Sequence, residues 1–377
     1  MARAELGAGD RIVVKIGTAS LVGSSGEVSA ERLDALCDDI AAVRASGMEV
    51  VLVSSGAIAA GLAPLGLARR PVDIPTLQAA AAVGQGRLLE RYAHALAGRG
   101  LVAAQLLLTR YDFMNRGQYL NARNTLVRLL NLGAIPIVNE NDTVAVDEIR
   151  FGDNDRLAAL VANLAAAKLL VLLTDADGVH AADPRLMPGA PVWGEIERIT
   201  PEIEQAVAGP ASGLGSGGMA SKVAAAWVAT FSGTAVVVAR ASEDNVVARV
   251  AAGEALGTYF HPSSRRASAR RLWIAFAQPP RGTVLVDSGA RRAVVAGKRS
   301  LLAAGVVGVE GGFGPGDTVD VAEVPSQGRS RELFARGLVR YAAEELDAVR
   351  GRSTAGLEGK GEVIHRDQLV VLEEQGA

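Results

Sequence analysis

Apolar runs of five to eight residues, separated by segments with helical spacing, set the pattern of the first two thirds of this chain. Arg11–Ile16 (RIVVKI), Glu49–Val53 (EVVLV), Leu101–Leu108, Ala134–Val138, Leu169–Leu173 and Thr234–Ala239 read as strands. Between the first two, Leu33, Leu36, Cys37, Ile40 and Val43 recur at the helical period; Ser29 is placed to cap that helix and Gly47 to stop it. Further helices are expected over Thr76–Leu96, Asn121–Leu132, Leu157–Ala167 and from the Gly213–Lys222 segment to Phe231. Strands alternating with helices imply an α/β layer around a mostly parallel sheet.

The pattern changes near residue 260. His261–Arg271 (HPSSRRASARR) is polar and carries four arginines, as a linker would. Beyond it, Gly282–Val286, Ala293–Ala296, Val306–Val309, Thr318–Val321 and Leu338–Val339 read as short strands between glycine-rich turns, with a helix over Tyr341–Arg350. The expected division is an α/β domain at 1–260, a linker at 261–275 and a small, mainly β domain at 276–372, with a frayed tail beyond Leu372.

Composition narrows the function. Apolar residues make up 49% of 377, enough for a substantial core, and the formal charge of −2 gives no global attraction to nucleic acid or anionic lipid. The single cysteine, Cys37, rules out an intrachain disulfide and sits at an apolar helical position, which suits a buried structural thiol. The four histidines are scattered without metal-ligand spacing, so zinc and Ser-His-Asp chemistry are disfavoured. MARAELGAGD lacks the apolar core of a signal peptide, and the run Leu157–Leu173, interrupted by Asn163 and Lys168, reads as helix plus strand rather than a membrane span. A cytoplasmic protein with no membrane partner is expected.

The chemistry gathers where strands end. NENDTVAVDEIRFGDND, Asn139–Asp155, places six acidic residues in seventeen positions. A solvated loop with Asx turns and a helix cap would need only a few of them; the density favours a site for a cation or an amino acid. Lys15 lies near the end of the first strand, Ser54-Ser55 follow the second, and Thr174-Asp175 follow the fifth. Ligands of open α/β sheets sit at the carboxyl ends of their strands, so four separate strand ends point to one shared site. Gly213–Gly218 fits G-x-G-x-x-G, yet it follows a loop late in the domain, not the first strand, and Lys222 is misplaced for a Walker A loop. What remains is a glycine-rich helix start whose N–H groups suit phosphate oxygens, with Lys222 one turn inside. Lys15 could instead run its stem along apolar surface, and Ser54 and Ser55 could serve as a helix cap. Together, two lysines, two glycine loops and a carboxylate cluster suggest phosphoryl transfer, where catalysis is mostly positioning and cationic stabilisation.

VVKIGT (Val13–Thr18), SSGAIAAG (Ser54–Gly61), LLTR (Leu107–Arg110), LNARNT (Leu120–Thr125), VNEND (Val138–Asp142), FGDND (Phe151–Asp155), LLTDADGV (Leu172–Val179), ADPR (Ala182–Arg185) and GGMASK (Gly217–Lys222) occur in the order in which they stand in the amino acid kinase family. The chain resembles that family closely, in particular those members that carry a C-terminal PUA domain. The resemblance implies an amino acid kinase-like sandwich with a mostly parallel central sheet, plus a PUA-like domain. It implies ATP-dependent phosphorylation of the γ-carboxylate of L-glutamate with Mg2+, as the first step of proline synthesis, with L-proline as inhibitor. By position, Lys15 and Lys222 match the phosphate-stabilising pair and Asp155 the carboxylate that orients them. Ser55, Asp142 and Asn154 match the substrate positions; Lys15, Thr174, Asp175, Ser216, Gly217, Gly218, Met219, Ala220, Ser221 and Lys222 match those that bind ATP. Serines at 216 and 221 stand where the family pattern leads us to expect threonine, which keeps the hydroxyl. Arg150 stands where lysine would also be accepted. A homo-oligomer and hand-over of the labile product to glutamyl-phosphate reductase are expected by the same analogy.

Three other readings compete. A relative acting on acetylglutamate, aspartate or a nucleotide is the nearest, and Asp142 speaks against a substrate whose amine is blocked. An RNA-binding protein is another, since PUA domains occur in that setting; residues 276–377, with 13 basic and 14 acidic side chains, lack the basic stripe that phosphate binding needs. A sensor without turnover is the third, and intact Lys15, Asp155 and Lys222 weigh against it.

Overall fold

The computed structural model describes residues 3, 6–23, 26–144, 154–207, 218–263, 271, 274–275, 280–324, 332–352 and 361–372. They fall into two compact units, residues 1–267 and 268–377.

In the first unit the strands are β1 (Arg11–Ile16), β2 (Glu49–Ser54), β3 (Ala103–Leu108), β4 (Ile135–Glu140), β5 (Leu169–Thr174), β6 (Glu195–Ile196), β7 (Ala235–Arg240) and β8 (Thr258–Phe260). The helices are α1 (Thr18–Leu21), α2 (Ala30–Ala45), α3 (Ala57–Leu62), α4 (Ile74–Ala97), α5 (Arg110–Met114), α6 (Arg116–Asn131), α7 (Asn154–Ala165), α8 (Pro201–Val207), α9 (Met219–Phe231) and α10 (Val246–Ala251). Among the described residues the strands form one sheet in the order β3-β4-β2-β1-β5-β7-β8-β6. From β3 to β7 every pairing is parallel; β8 runs antiparallel to β7. A mostly parallel sheet is therefore what the chain builds, and it requires cover on both faces.

Side chains alternate between those faces. Ile12, Val14 and Ile16 of β1 point into a core with Leu36, Cys37 and Ile40 of α2, Leu88 and Tyr92 of α4, and Val247 of α10. The opposite face of β1 carries Val13 and Lys15, and there α7 packs on β1 while α7 and α9 pack on each other. Period two thus sends Lys15 toward α7 and α9 rather than into the all-apolar core.

Helix boundaries follow from caps. Ser29 Oγ accepts from the Arg32 N–H at 3.3 Å at the start of α2, and Gly47 follows its end at φ +87°. Asp73 accepts from the Thr76 N–H at 2.9 Å and starts α4. The helix expected at Asn121 begins at Arg116, because Asn115 Oδ1 accepts from the N–H groups of Gly117 and Gln118 at 2.9 and 3.2 Å. The strand expected to end at Val138 runs on through Asn139 and Glu140, both buried, so these residues belong to the sheet rather than to a loop.

The second unit holds a five-stranded sheet of Val306–Gly311, Gly282–Val286, Thr318–Glu323, Glu332–Leu338 and Leu369–Val371, in that order, and a separate pairing of Leu301–Leu302 with Glu362–Ile364. Ala293–Ala296, read above as strand, falls at the end of the helix Ser288–Val295. The Asp287 carboxylate accepts from the Ala290 N–H at 2.7 Å and nucleates that helix, overriding the strand preference of its two valines. Among the described residues, no helix is long and apolar enough to cross a membrane.

Candidate active site

Four parallel neighbours, β4, β2, β1 and β5, end side by side. Their register aligns Ile16 with Ser54 and Leu173, and Val53 with Val138. Lys15, Ser54, Asn139-Glu140 and Thr174 therefore line one rim, and the N-termini of α7 and α9 arrive at the same rim.

The centre of the arrangement is Asp155 in the first turn of α7, with no solvent exposure. One of its oxygens, Oδ1, is ion-paired with Lys15 Nζ. The other, Oδ2, lies 3.3 Å from Lys222 Nζ and accepts from Ser221 Oγ at 2.7 Å. Both lysines are themselves buried. Burial alone would raise the Asp155 pKa; the charges of Lys15 and Lys222, with hydrogen bonds from Lys15 and Ser221, hold it below the usual carboxylate range. Two cations sharing one anion leave a net positive charge in a dry place, which is the electrostatic requirement of a phosphate site.

Asn154, one residue earlier, faces the other strand ends. Its Nδ2 donates to the Ser54 carbonyl at 2.7 Å and to Asn139 Oδ1 at 2.7 Å, and lies 3.1 Å from Ser55 Oγ. Asp142 is half-buried in the turn after β4. Burial pushes its carboxyl up to about 6, against the opposing charge of Arg70. Thr174 Oγ1 donates to Asp175 Oδ1 at 3.0 Å at the end of β5. Gly218 caps α9 from an extended conformation, with Met219, Ala220 and Ser221 forming the first turn.

The structure thus gathers Lys15, Asp155, Ser221 and Lys222 into one cluster and Ser55 and Asn154 into another beside it. Ser216 and Gly217, named from the sequence, lie outside the described residues, as do residues 145–153 of the acidic stretch, Arg150 among them. The sequence reading missed Gln85 of α4, which is buried and bonded to Asn139 Nδ2 at 3.2 Å, and Tyr92, whose hydroxyl lies 2.9 Å from Ser54 Oγ. The available signal was a polar amide within an otherwise apolar helical face.

Among the described residues, no cluster of three or more His, Cys, Asp or Glu side chains could hold a metal ion. Asp155 is committed to two lysines. This donor set fits a cation that arrives with phosphate oxygens and water as its ligands, the usual habit of Mg2+.

Residues 10–240 match the model of the amino acid kinase family, and residues 282–358 match the PUA domain. The chain belongs to the amino acid kinase family. The family's relatives of this chain extend over both units. A glutamate 5-kinase of Myxococcus xanthus is 47% identical over 376 residues, covering 98% of each chain. One from Streptomyces coelicolor is 50% identical, covering 98% of this chain and 99% of that one, and one from Salinispora arenicola is 50% identical over 369 residues.

Proposed function

We propose that this chain is a glutamate 5-kinase, transferring the γ-phosphoryl group of ATP to the γ-carboxylate of L-glutamate to give L-glutamyl 5-phosphate and ADP, the first step of proline biosynthesis. The observation that carries the reading is the Lys15–Asp155–Lys222 cluster, in a chain similar to glutamate 5-kinases along nearly its whole length. In this reading residues 1–260 form the kinase domain, 261–275 a linker and 276–372 the PUA-like domain.

The acceptor needs no general base. A glutamate side chain titrates near about 4.3, so the γ-carboxylate is already an anion at neutral pH. One of its oxygens forms the bond to the γ-phosphorus as the bridging oxygen to the β-phosphorus departs with ADP, and no proton moves. The barrier is repulsion between anions and charge spreading over the transferred oxygens, which Lys15 and Lys222 offset. Asp155 fixes both ammonium groups in place. Thr174, Asp175 and the segment Ser216–Lys222 hold ATP, with N–H groups at the start of α9 directed at phosphate. Bound Mg2+ supplies charge neutralisation on the phosphate oxygens. Asp142 pairs with the α-ammonium of glutamate, and Ser55 and Asn154 contact the acid. L-Proline acts as feedback inhibitor, the labile product passes to glutamyl-phosphate reductase, and the enzyme works in the cytoplasm as a homo-oligomer.

The test is Mg-ATP-dependent acyl phosphate formation, trapped as hydroxamate, with L-glutamate, acetylglutamate and L-aspartate, with and without L-proline. Glutamate-dependent product suppressed by proline is expected. Preference for acetylglutamate would overturn the acceptor, and glutamate turnover indifferent to proline would remove the regulatory part alone.

A further inference from the structure

A chain of buried amides connects α4 to the proposed acceptor residues, and its donors and acceptors fit in one arrangement only. Gln85 Nε2 donates to the Glu140 carbonyl at 3.2 Å. Its Oε1 accepts from Asn139 Nδ2 at 3.2 Å and from Gln105 Nε2 at 3.4 Å. Asn139 Oδ1 then accepts from the Glu140 N–H at 2.9 Å and from Asn154 Nδ2 at 2.7 Å. Flipping the Asn139 amide would set its NH2 against two other N–H donors, and flipping Gln85 would set a carbonyl against a carbonyl. The network therefore fixes each amide by the next.

Gln85 is the member of this chain bonded to both residues that end β4. Through the Glu140 carbonyl it holds the last residue of β4, two positions before Asp142. Through Asn139 it holds Asn154, which reaches Ser55. Its own position is set rigidly: the flanking Gly84 lets α4 press its backbone on Ala57, immediately after Ser55-Gly56, where a Cβ would lie 1.7 Å from the Ala57 carbonyl oxygen. Gln85 touches none of the lysine–aspartate cluster that faces phosphate. A buried glutamine with every polar atom bonded, on a helix that otherwise buries Leu77, Ala80, Ala81, Leu88 and Tyr92, is an outlay an apolar residue would avoid unless placement of the strand end mattered.

We propose that Gln85 is a positioning residue for the acceptor amino acid: through Asn139 and the Glu140 carbonyl it sets Asn154 and the Asp142 turn, and so governs binding of the acid and not of ATP. The inference rests on the acceptor assignment made above. The substitution Gln85→Met keeps length and apolar packing and removes both hydrogen-bonding functions.

The experiment is steady-state kinetics of wild type, Gln85→Met, Asn139→Ala and the double variant, with melting temperatures for each. For Gln85→Met, a rise of about tenfold in KM for L-glutamate is expected, with kcat and KM for ATP within about twofold of wild type, since a group acting only on the acceptor's binding removes uniform binding. In the double variant the rise in KM for glutamate is expected to be clearly smaller than the product of the two single rises, because the two residues share the path through Asn139 while the Glu140 carbonyl link belongs to Gln85 alone. An unchanged KM for glutamate in Gln85→Met, KM values for both substrates rising together with a lower melting temperature, or fully additive effects in the double variant would each overturn the proposal. Wild-type protein that makes no acyl phosphate from glutamate would overturn the acceptor reading and this inference with it; active wild type with an indifferent Gln85→Met would overturn this inference alone.

Discussion

Gly84 of α4 lies against Ala57 of α3 so closely that a Cβ on Gly84 would sit 1.7 Å from the Ala57 carbonyl oxygen and 2.7 Å from the Gly61 nitrogen. Two residues on, Gly86 has open space around the same position. The two glycines should therefore respond oppositely to one methyl group. Gly84→Ala is expected to destabilise by about 1–3 kcal/mol or more through forced separation of the helices. Gly86→Ala is expected to stabilise by about 0.5–1 kcal/mol, because alanine loses less chain entropy in a helix. Urea midpoints of the two variants measure this, and a Gly84→Ala protein as stable as wild type would refute the close contact.

Lys222→Ala is expected to lower kcat by at least about a hundredfold, the order seen when one preorganised charge-stabilising donor is removed. KM for glutamate should change little, since the proposed acceptor cluster around Asn154 and Ser55 has no bond to Lys222. Turnover at the wild-type rate would remove the phosphate role from this lysine.

Asp155 contributes stability in a defined pH window. Its folded pKa lies below the ordinary value, so its ion pairs stabilise fully above about pH 4 and are lost as pH falls through the folded value. Asp155→Asn, which strands two buried ammonium groups, is expected to cost about 3–5 kcal/mol at neutral pH. The loss should shrink on acidification below about pH 4, where wild type gives up the same interaction. Denaturation curves across that range test the sign.

Asp142 titrates at about 6 because it is desolvated. If it receives the α-ammonium of the acceptor, kcat/KM for glutamate falls as pH drops through about 6, since the protonated acid cannot pair with a cation. In Asp142→Asn that acid limb should vanish, leaving a low, flat kcat/KM. A limb that persists in Asp142→Asn would assign the titration to another group.

Cys37 is fully buried among Leu33, Leu36 and Ile40, and burial pushes its thiol up to about 12. The native protein is expected to show no thiol reactive toward an aromatic disulfide reagent at neutral pH, and one per chain in denaturant. Rapid reaction in the native state would contradict the packing of α2.

Much of the site was legible because its residues sit where local rules leave a mark. Lys15 interrupts an apolar strand, Ser54 and Ser55 stand where β2 ends, and Asn139–Asp142 and Asn154-Asp155 flank an acidic stretch. Gln85 carried only a faint mark, one amide on an otherwise apolar helical face. A glutamine in a helix is ordinary, and its meaning comes from Asn139, which is 54 residues away in the chain. The short helix α3 was equally hidden, since its six residues follow SSG and owe their place to contact with α4.

Strand and helix identity, the parallel sheet and the caps at Ser29 and Gly47 were thus determined by the sequence itself, because periodicity and capping act over a few residues. Tertiary structure alone decided the rest. It carried β4 on through Asn139 and Glu140, because pairing with Leu107 and Leu108 of β3 satisfies their backbone. The helix over the valines before Ala296 is a local exception, set by the Asp287 cap three residues from its partner and so already written in the sequence. Above all, the fold brought Lys15 and Lys222 within ion-pairing distance of Asp155. No local rule relates positions that far apart; only the shared face of the sheet, on which α7 and α9 both pack, places them together.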